Sequence, residues 1–382
     1  MKVGLFSDTF LPIVDGVGRV VSHYAQGLGE CCEACYVITP RQAHPGLPRC
    51  YEVVAYGSVS LPTMKQYRVG LPTLDRSYRR RLSKLEMDLV HAHSPFIAGR
   101  EAWKYAHRQQ IPLVGTFHSK YYDDFLQVTK SKTLSRLCLR SVLDFYARCD
   151  EVWAVSSSTA DVLRGYGFQG SIEVMENGTD AQEVDQKTID LVDRRYSLQG
   201  KPVLLFVGQM NWKKNIRRVL ESAQSLLEQG REFRLVMAGQ GPSEREIREL
   251  CTTLGLESVV IFTGPISEPQ ILLALYARAD LFVFPSLYDN APMVVREAAA
   301  VGTPSLLARG SSAAEVIEDG VNGLLAEDTT VNVAERIAWA FDHPGELREM
   351  GKQAQKTIPK PWKDILPRVL ERYEGLIASK KQ

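Results

Sequence analysis

The sequence predicts an α/β protein made of two doubly wound, Rossmann-like domains. Three observations carry that prediction. The chain has 382 residues, 45% hydrophobic and 24% charged, which is an ordinary globular composition and enough for two separate cores. Its first half alternates short apolar runs with amphipathic stretches, the signature of parallel strands covered on both faces by helices. After a polar break, the same alternation begins again.

In chain order, strands are expected at Val3–Ser7, Ala34–Thr39, Val53–Tyr56, Leu89–Ala92, Leu113–Phe117, Glu151–Val155 and Ile172–Met175. Each is a short apolar run of strand length. Between them, helices are expected at Val17–Leu28, Ile97–Arg108, Thr133–Arg148 and Ser158–Tyr166. Around Thr179–Arg195 the pattern breaks, and its first part, Thr179–Lys187, is polar and reads as a linker. A second series follows, with strands at Val203–Val207, Arg234–Ala238, Val259–Thr263, Leu281–Phe284 and Ser305–Leu307. Its helices are expected at Asn215–Gln229, Ser243–Leu254, Glu268–Ala277, Met293–Val301, Ala313–Ile317, Val331–Phe341 and Glu346–Lys356. The first domain therefore spans 1–190 and the second 191–359. The tail is one more amphipathic helix, with Ile365, Val369, Tyr373, Leu376 and Ile377 near one face. Residues 360–382 are assigned back to the first domain. Two such domains facing each other leave a cleft, a preferred place for a ligand.

Composition removes several function classes. A net charge of +1 gives no bulk attraction to nucleic acid. The cysteines number seven, and Cys31, Cys32 and Cys35 cluster without a second Cys/His pair at zinc-finger spacing. The N-terminus starts as a strand, and no apolar run approaches the roughly 18–20 residues that span a bilayer. These features read as a reduced, cytoplasmic protein, free or peripheral on the inner face of the membrane. No Walker loop, nucleophile elbow or His-Glu-x-x-His motif occurs. No Asp-x-Asp pair is present to hold a magnesium ion on a diphosphate, so neither a cofactor nor a metal is expected.

The candidate site residues lie where strands end. Asp289 and Glu297 stand eight positions apart, the first in the loop after Leu281–Phe284 and the second on the helix that follows. In an open α/β sheet that carboxyl-end loop is where ligands bind, and a helix start there offers N–H groups and a positive dipole end to an anion. Two carboxylates beside such a site suit the hydroxyls of a ribose and a sugar; alone, they would read as a cap and a solvated helix residue. Gly16 and Gly18 open the first helix and suit close approach of a phosphate, although the dinucleotide fingerprint is missing and a tight turn explains them equally. Lys213 and Lys214 stand at a helix start, an unfavourable place for cations unless an anion compensates. Gly239 and Gly241 follow one strand and Gly264, Pro265 and Ile266 another, so a flat base could lie on their backbone. His118 ends the strand Leu113–Phe117, with Tyr121, Tyr122 and Phe125 nearby as an acceptor lining; His91 and His93 read as structural or supporting.

In this order the pieces resemble a known family. Val207-Gly-Gln-Met, Lys214-Asn215, Ala238-Gly-Gln-Gly-Pro, Leu275-Tyr-Ala-Arg-Ala-Asp-Leu-Phe-Val-Phe-Pro-Ser286, Arg296-Glu-Ala298 and Val316-Ile-Glu-Asp-Gly-Val-Asn-Gly-Leu-Leu325 are similar to the retaining, two-domain GT-B glycosyltransferases of family 4. The resemblance implies a nucleoside-diphosphate-sugar donor. It implies that Asp289, where the family carries Glu, contacts the transferred sugar, and that Glu297 binds the ribose. Gly16 and Lys214 would hold the distal phosphate, with backbone amides around Asn290, Ala291, Pro292, Met293 and Val294 completing the site. The family's usual arginine falls on Gln209, leaving Lys213 and Arg19 as candidate substitutes. His118 would lie near the reacting centre, and retention would proceed by front-face attack.

The acceptor would then belong to the first domain. From Lys65 to Arg148 there is an excess of about nine positive charges. One cluster is Arg76, Arg79, Arg80, Arg81 and Lys84; another is Lys130, Lys132, Arg136 and Arg140 beside Leu134, Leu137 and Leu139. Basic, partly apolar helices suit an anionic membrane surface, and equally a solvated face. The stretch Thr116–Phe125 is also similar to the acceptor loop of lipid glycosyltransferases such as those that glucosylate diacylglycerol. The expected activity is transfer of a hexose, from UDP-glucose or another UDP-hexose, to a lipid or lipid-linked hydroxyl. Polysaccharide or small-molecule acceptors, a non-catalytic sugar-nucleotide binder, and an epimerase or phosphorylase on the same plan are the alternatives.

Overall fold

A computed structural model of the chain describes residues 1–11, 16–42, 49–60 and 68–381. They form two compact units, Met1–Gly178 with Trp362–Gln382, and Thr179–Pro361. Each is a doubly wound parallel sheet covered by helices.

The first unit runs β1 (Lys2–Phe6), α1 (Gly16–Cys31), β2 (Ala34–Pro40), β3 (Glu52–Tyr56), the antiparallel pair β4 (Ser58–Ser60) and β5 (Arg68–Gly70), α2 (Arg76–Leu82), β6 (Leu89–Ala92), α3 (Ile97–Gln109), β7 (Leu113–Phe117), α4 (Tyr121–Thr129), α5 (Lys132–Tyr146), β8 (Glu151–Ala154), α6 (Ser157–Gly165) and β9 (Ile172–Val174). Its sheet has the order β3-β2-β1-β6-β7-β8-β9, all parallel. The strands β6 and β7 are buried at every position, which is why they read as continuous apolar runs rather than alternating ones.

The second unit runs α7 (Gln186–Arg195), β10 (Val203–Val207), a 3₁₀ turn (Trp212–Lys214), α8 (Ile216–Glu228), β11 (Arg234–Ala238), α9 (Glu244–Thr253), β12 (Val260–Gly264), α10 (Pro269–Arg278), β13 (Leu281–Phe284), α11 (Met293–Ala300), β14 (Ser305–Ala308), a second 3₁₀ turn (Ser312–Val316), β15 (Gly323–Ala326), α12 (Thr330–Asp342) and α13 (Pro344–Thr357). Its sheet order is β12-β11-β10-β13-β14-β15, again parallel.

The last helix, α14 (Trp362–Lys380), belongs to the first unit. Its buried residues are Trp362, Ile365, Val369 and Tyr373. Tyr373 stacks on Trp153 of β8 at 5.6 Å, and its hydroxyl lies 2.6 Å from His91 Nδ1. Arg372 pairs with Glu151 at 2.7 Å. The face read from the periodicity is thus the docked one for Ile365, Val369 and Tyr373, while Leu376 and Ile377 stay partly exposed.

The polar stretch Thr179–Asp185 is irregular as read, but a helix that was not read, α7, begins at Gln186. Within α7, Val192 is fully buried, and Asp193 pairs with Arg278 of α10. The unit boundary accordingly lies at Gly178/Thr179 and at Pro361/Trp362, displaced from the 190/191 and 359/360 read from sequence. The helices α2 and α4, the strand β15 and the β4/β5 pair were not read either; Lys65 and part of the first glycine loop lie outside the described residues.

Candidate active site

Sheet order decides where a site can form. In the second unit the chain winds outward from β10 to β12, then crosses back to β13 on the other side of β10. The loops after β10 and β13 therefore flank the point where the winding reverses, the crevice at which such sheets bind ligands. Lys214 follows β10 and Asp289 follows β13, and the two form an ion pair. Both are mostly buried, with 15% and 16% of their side chains exposed. Asp289 Oδ2 also accepts from Ser286 Oγ at 2.5 Å.

The 3₁₀ turn that delivers Lys214 ends on Asn215, at φ 58°. Asparagine tolerates this left-handed conformation better than most residues. Its side chain donates to Pro285 O at 3.1 Å and to Asp328 at 2.8 Å, fixing the turn to the β13 loop. Lys213 lies over the Tyr288 ring, 4.6 Å from its centroid. Glu297 is buried on the second turn of α11, where Tyr276 Oη donates to it at 3.3 Å. Helix α11 starts after Pro292 without a side-chain cap, so its first N–H groups are not claimed by a capping side chain.

Gly239 and Gly241 have a steric reason to be glycine. A Cβ on Gly239, at φ 135°, would meet Gly208 O at 1.9 Å, and one on Gly241 would meet Met210 O at 2.5 Å. The loops after β10, β11 and β12 are thereby woven together, through Met210 N to Gln240 O at 3.2 Å and Gly239 N to Gly264 O at 2.9 Å. Gln209 and Ile266 sit half-buried on these loops. Asn290 and Met293 are buried, and Ala291, Pro292 and Val294 are half-buried. The structure thus gathers Gln209, Lys213, Lys214, Gly241, Ile266, Asp289, Asn290–Val294 and Glu297 at one sheet edge of the second unit.

Gly16 and His118 lie in the first unit. Gly16 opens α1 and is exposed, with nothing within 4 Å of where a Cβ would sit. His118 ends β7, half-buried, with Nε2 3.2 Å from His93 Nδ1. His93 in turn lies 4.0 Å from the ring of His91, which is bonded to Tyr373 and, at 2.6 Å, to Thr116 Oγ1. Loss of water around the rings lowers His118 to about 4 and holds His91 and His93 well below the usual histidine range. Sequence reasoning found His118 but not this chain of rings, because the contacts join β6, β7 and α14.

These histidines give a pH prediction. All three are neutral in the folded protein, whereas an unfolded histidine protonates near pH 6.5. Below that value the unfolded chain takes up protons that the folded one resists, so stability is lost as pH falls from about 6.5 toward about 4. Melting temperatures across that window should fall on the acid side and level off above 6.5, and His118→Asn should flatten part of the slope.

Among the described residues, no group of three His, Cys, Asp or Glu side chains could hold a metal, and the cysteines are free thiols. Tyr122, Tyr166, Arg136, Arg140, Leu139 and Leu143 line a cavity of about 510 Å³ between α4, α5 and α6. On α4 and α5, Val128, Leu134 and Leu137 are exposed. Tyr121 points elsewhere: it is buried against Phe96 and Phe117.

Residues 14–183 match the model of Glycosyltransferase Family 4, and residues 192–357 that of Glycosyl transferases group 1. The chain belongs to the GT-B glycosyltransferases. It is 24% identical over 335 residues to an alpha-monoglucosyldiacylglycerol synthase of Streptococcus pneumoniae, covering 85% of this chain and 75% of that protein. It is 25% identical over 395 residues to a GDP-mannose-dependent alpha-mannosyltransferase of Corynebacterium glutamicum, covering 99% and 90%. The crystal structure of Anabaena Alr3699/HepE in complex with UDP and glucose superposes with a TM-score of 0.80 at 18% identity, over 98% of this chain and 99% of that one. This GT-B chain therefore shares the two-sheet fold of that structure, at an identity too low to carry more.

Proposed function

We propose that this GT-B chain is a retaining, metal-independent hexosyltransferase that moves a sugar from a nucleoside-diphosphate donor to a hydroxyl of a lipid or lipid-linked acceptor. UDP-glucose or another UDP-hexose is the proposed donor. The observation that carries the reading is the meeting of Lys214, the start of α11 and the buried carboxylate of Glu297 at the reversal point of the second sheet. In this reading the ribose hydroxyls bond Glu297. The base lies on the woven backbone of Gly208–Met210, Gly239–Gly241 and Ile266. The diphosphate meets Lys214 and the N–H groups at Met293 and Val294. As the glycosidic bond opens, negative charge builds on the leaving phosphate oxygen, and donors already aimed there lower the barrier. That oxygen accepts the acceptor's proton on the same face. His118 and Gly16 are assigned to the sugar and the distal phosphate, as the resemblance implies.

A lipid acceptor is supported by the basic, partly apolar surface of α5, by the Tyr122–Arg140 cavity beside it, and by the diacylglycerol-glycosylating relative. Among the described residues no helix is long and apolar enough to cross a membrane, so attachment would be peripheral.

A panel of nucleotide sugars should reveal one that releases its nucleoside diphosphate, faster when a lipid extract is added and equally fast in the presence of a chelator. Glu297→Ala should raise KM for that donor at least tenfold, about the cost of a lost hydrogen bond to a charged group. A KM unchanged by that substitution would overturn the site. Tight nucleotide binding without turnover on any acceptor would favour a non-catalytic binder. In flotation assays the protein should rise with anionic vesicles at low salt and stay behind with zwitterionic ones; absence of flotation would remove the lipid-surface reading.

A further inference from the structure

We propose that Asp289 acts through Lys214, competing with the nucleoside diphosphate for the ammonium, rather than serving chiefly as a ligand of the donor sugar. The inference rests on the nucleotide-donor reading above and changes one role within it. The resemblance assigns this acid to the sugar hydroxyls, but the geometry gives both of its oxygens other work. Oδ1 is ion-paired with Lys214, and Oδ2 accepts from Ser286 Oγ at 2.5 Å. Ser286 is fully buried, and its oxygen also receives the N–H groups of Tyr288 at 3.3 Å and Asp289 at 3.4 Å. The carboxylate is therefore tied into its own turn.

Chain length matters here. Aspartate is one methylene shorter than the glutamate of the resembling family, and the short arm keeps the carboxylate inside the turn made by Ser286. The partner is equally fixed, because Asn215 bonds Pro285 O and so anchors the turn bearing Lys214 to the loop bearing Asp289. Asp289 thus positions Lys214 and partly neutralises it.

An ammonium has three donors, so Lys214 can bond a phosphate oxygen while still touching Asp289. The phosphate must nonetheless share a cation that is already engaged. With Gln209 standing where the resembling family has arginine, a competitor for Lys214 counts for more. Asparagine at 289 keeps the shape and can still accept from Lys214, but it removes the competing charge. UDP should then bind more tightly, by roughly tenfold or more, since a full charge close to the phosphate is removed from a mostly buried site. The gain should shrink as salt rises.

The test is titration calorimetry of UDP and UDP-glucose, with GDP alongside, on the full chain and on Asp289→Asn, Lys214→Met and the double variant. Melting curves serve to check folding. Tighter UDP binding in Asp289→Asn, with most of the gain lost once Lys214 is methionine, supports the proposal. An unchanged UDP affinity together with weakened discrimination between UDP-glucose and UDP returns Asp289 to a sugar-binding role and overturns it. Weaker UDP binding overturns it as well. An equal gain without Lys214 means direct repulsion of the phosphate and also overturns it. Ser286→Ala, which loosens the carboxylate without removing its charge, should shift UDP affinity less than Asp289→Asn does. Parent protein that binds neither UDP nor GDP removes the donor reading itself, which is distinguishable from a parent that binds and an Asp289→Asn variant that binds equally well.

Discussion

Lys214→Met is expected to lower turnover of the donor by about 10²–10³, the scale seen when one pre-aimed donor to a developing oxyanion is removed. Methionine keeps much of the length and apolar stem of lysine, so what is lost is mainly the charge. That charge is directed by three constraints: the 3₁₀ turn Trp212–Lys214, the left-handed Asn215 at φ 58°, and the Asp289 carboxylate. None of them needs to reorganise as the glycosidic bond breaks, which is the condition under which electrostatic stabilisation counts most. Folding should suffer much less. With both partners about 15% exposed, water can relieve part of the cost of leaving Asp289 alone. The double variant with Asp289→Asn should recover stability and not turnover. Steady-state rates with a UDP-sugar and the preferred acceptor provide the measurement, and a loss under threefold would exclude Lys214 from the reaction.

That residue also shows what a sequence can and cannot display. The strands were legible because a parallel sheet buried on both faces must be apolar throughout, as in the run of β10 from Val203 to Val207. Asp289 and Glu297 were legible because a strand, a loop and a helix follow one another locally. The ion pair was not, because its partners lie 75 residues apart and meet only when β10 and β13 become neighbours. Ser286 and Tyr276 were missed as site residues for a different reason: each matters by touching a carboxylate, and its own residue type does not announce that. Ser286 left one faint signal, a hydroxyl residue three positions before an acid in a strand-to-helix loop. Helix α7 was unreadable because only Ile189, Leu191 and Val192 of its residues are apolar. It is held by Arg278, which meets Asp193 and also donates to Leu198 O at 2.8 Å, both 80 or more residues away in sequence. Helix α4 did carry local signals, with Asp123 and Asp124 in its first turn, but its aromatic residues read more readily as a pocket lining.

The largest effect on stability is expected from Tyr373→Ala. Tyr373 is fully buried on α14, stacked on Trp153 and bonded to His91. Deleting a buried aromatic ring costs about 3–5 kcal/mol. Here His91 Nδ1 would also lose its partner inside the core, adding about 1–3 kcal/mol. Tyr373→Phe separates the two effects, since it keeps the stack and should cost only that second amount. The consequence is topological as well as energetic. Helix α14 reaches the first unit only after the chain has completed the second, so the first unit owes part of its core to the last residues of the sequence. Weakening that helix should lower the denaturant midpoint of the first unit while leaving that of the second nearly unchanged, giving two separated transitions where the parent shows them closer together. Helix α14 should also become sensitive to trypsin at Lys363, Arg368 and Arg372, which are among its exposed basic residues. An unmoved first-unit midpoint in Tyr373→Ala would mean that the returning helix contributes packing without stability, and that the core around β6, β7 and β8 closes without it.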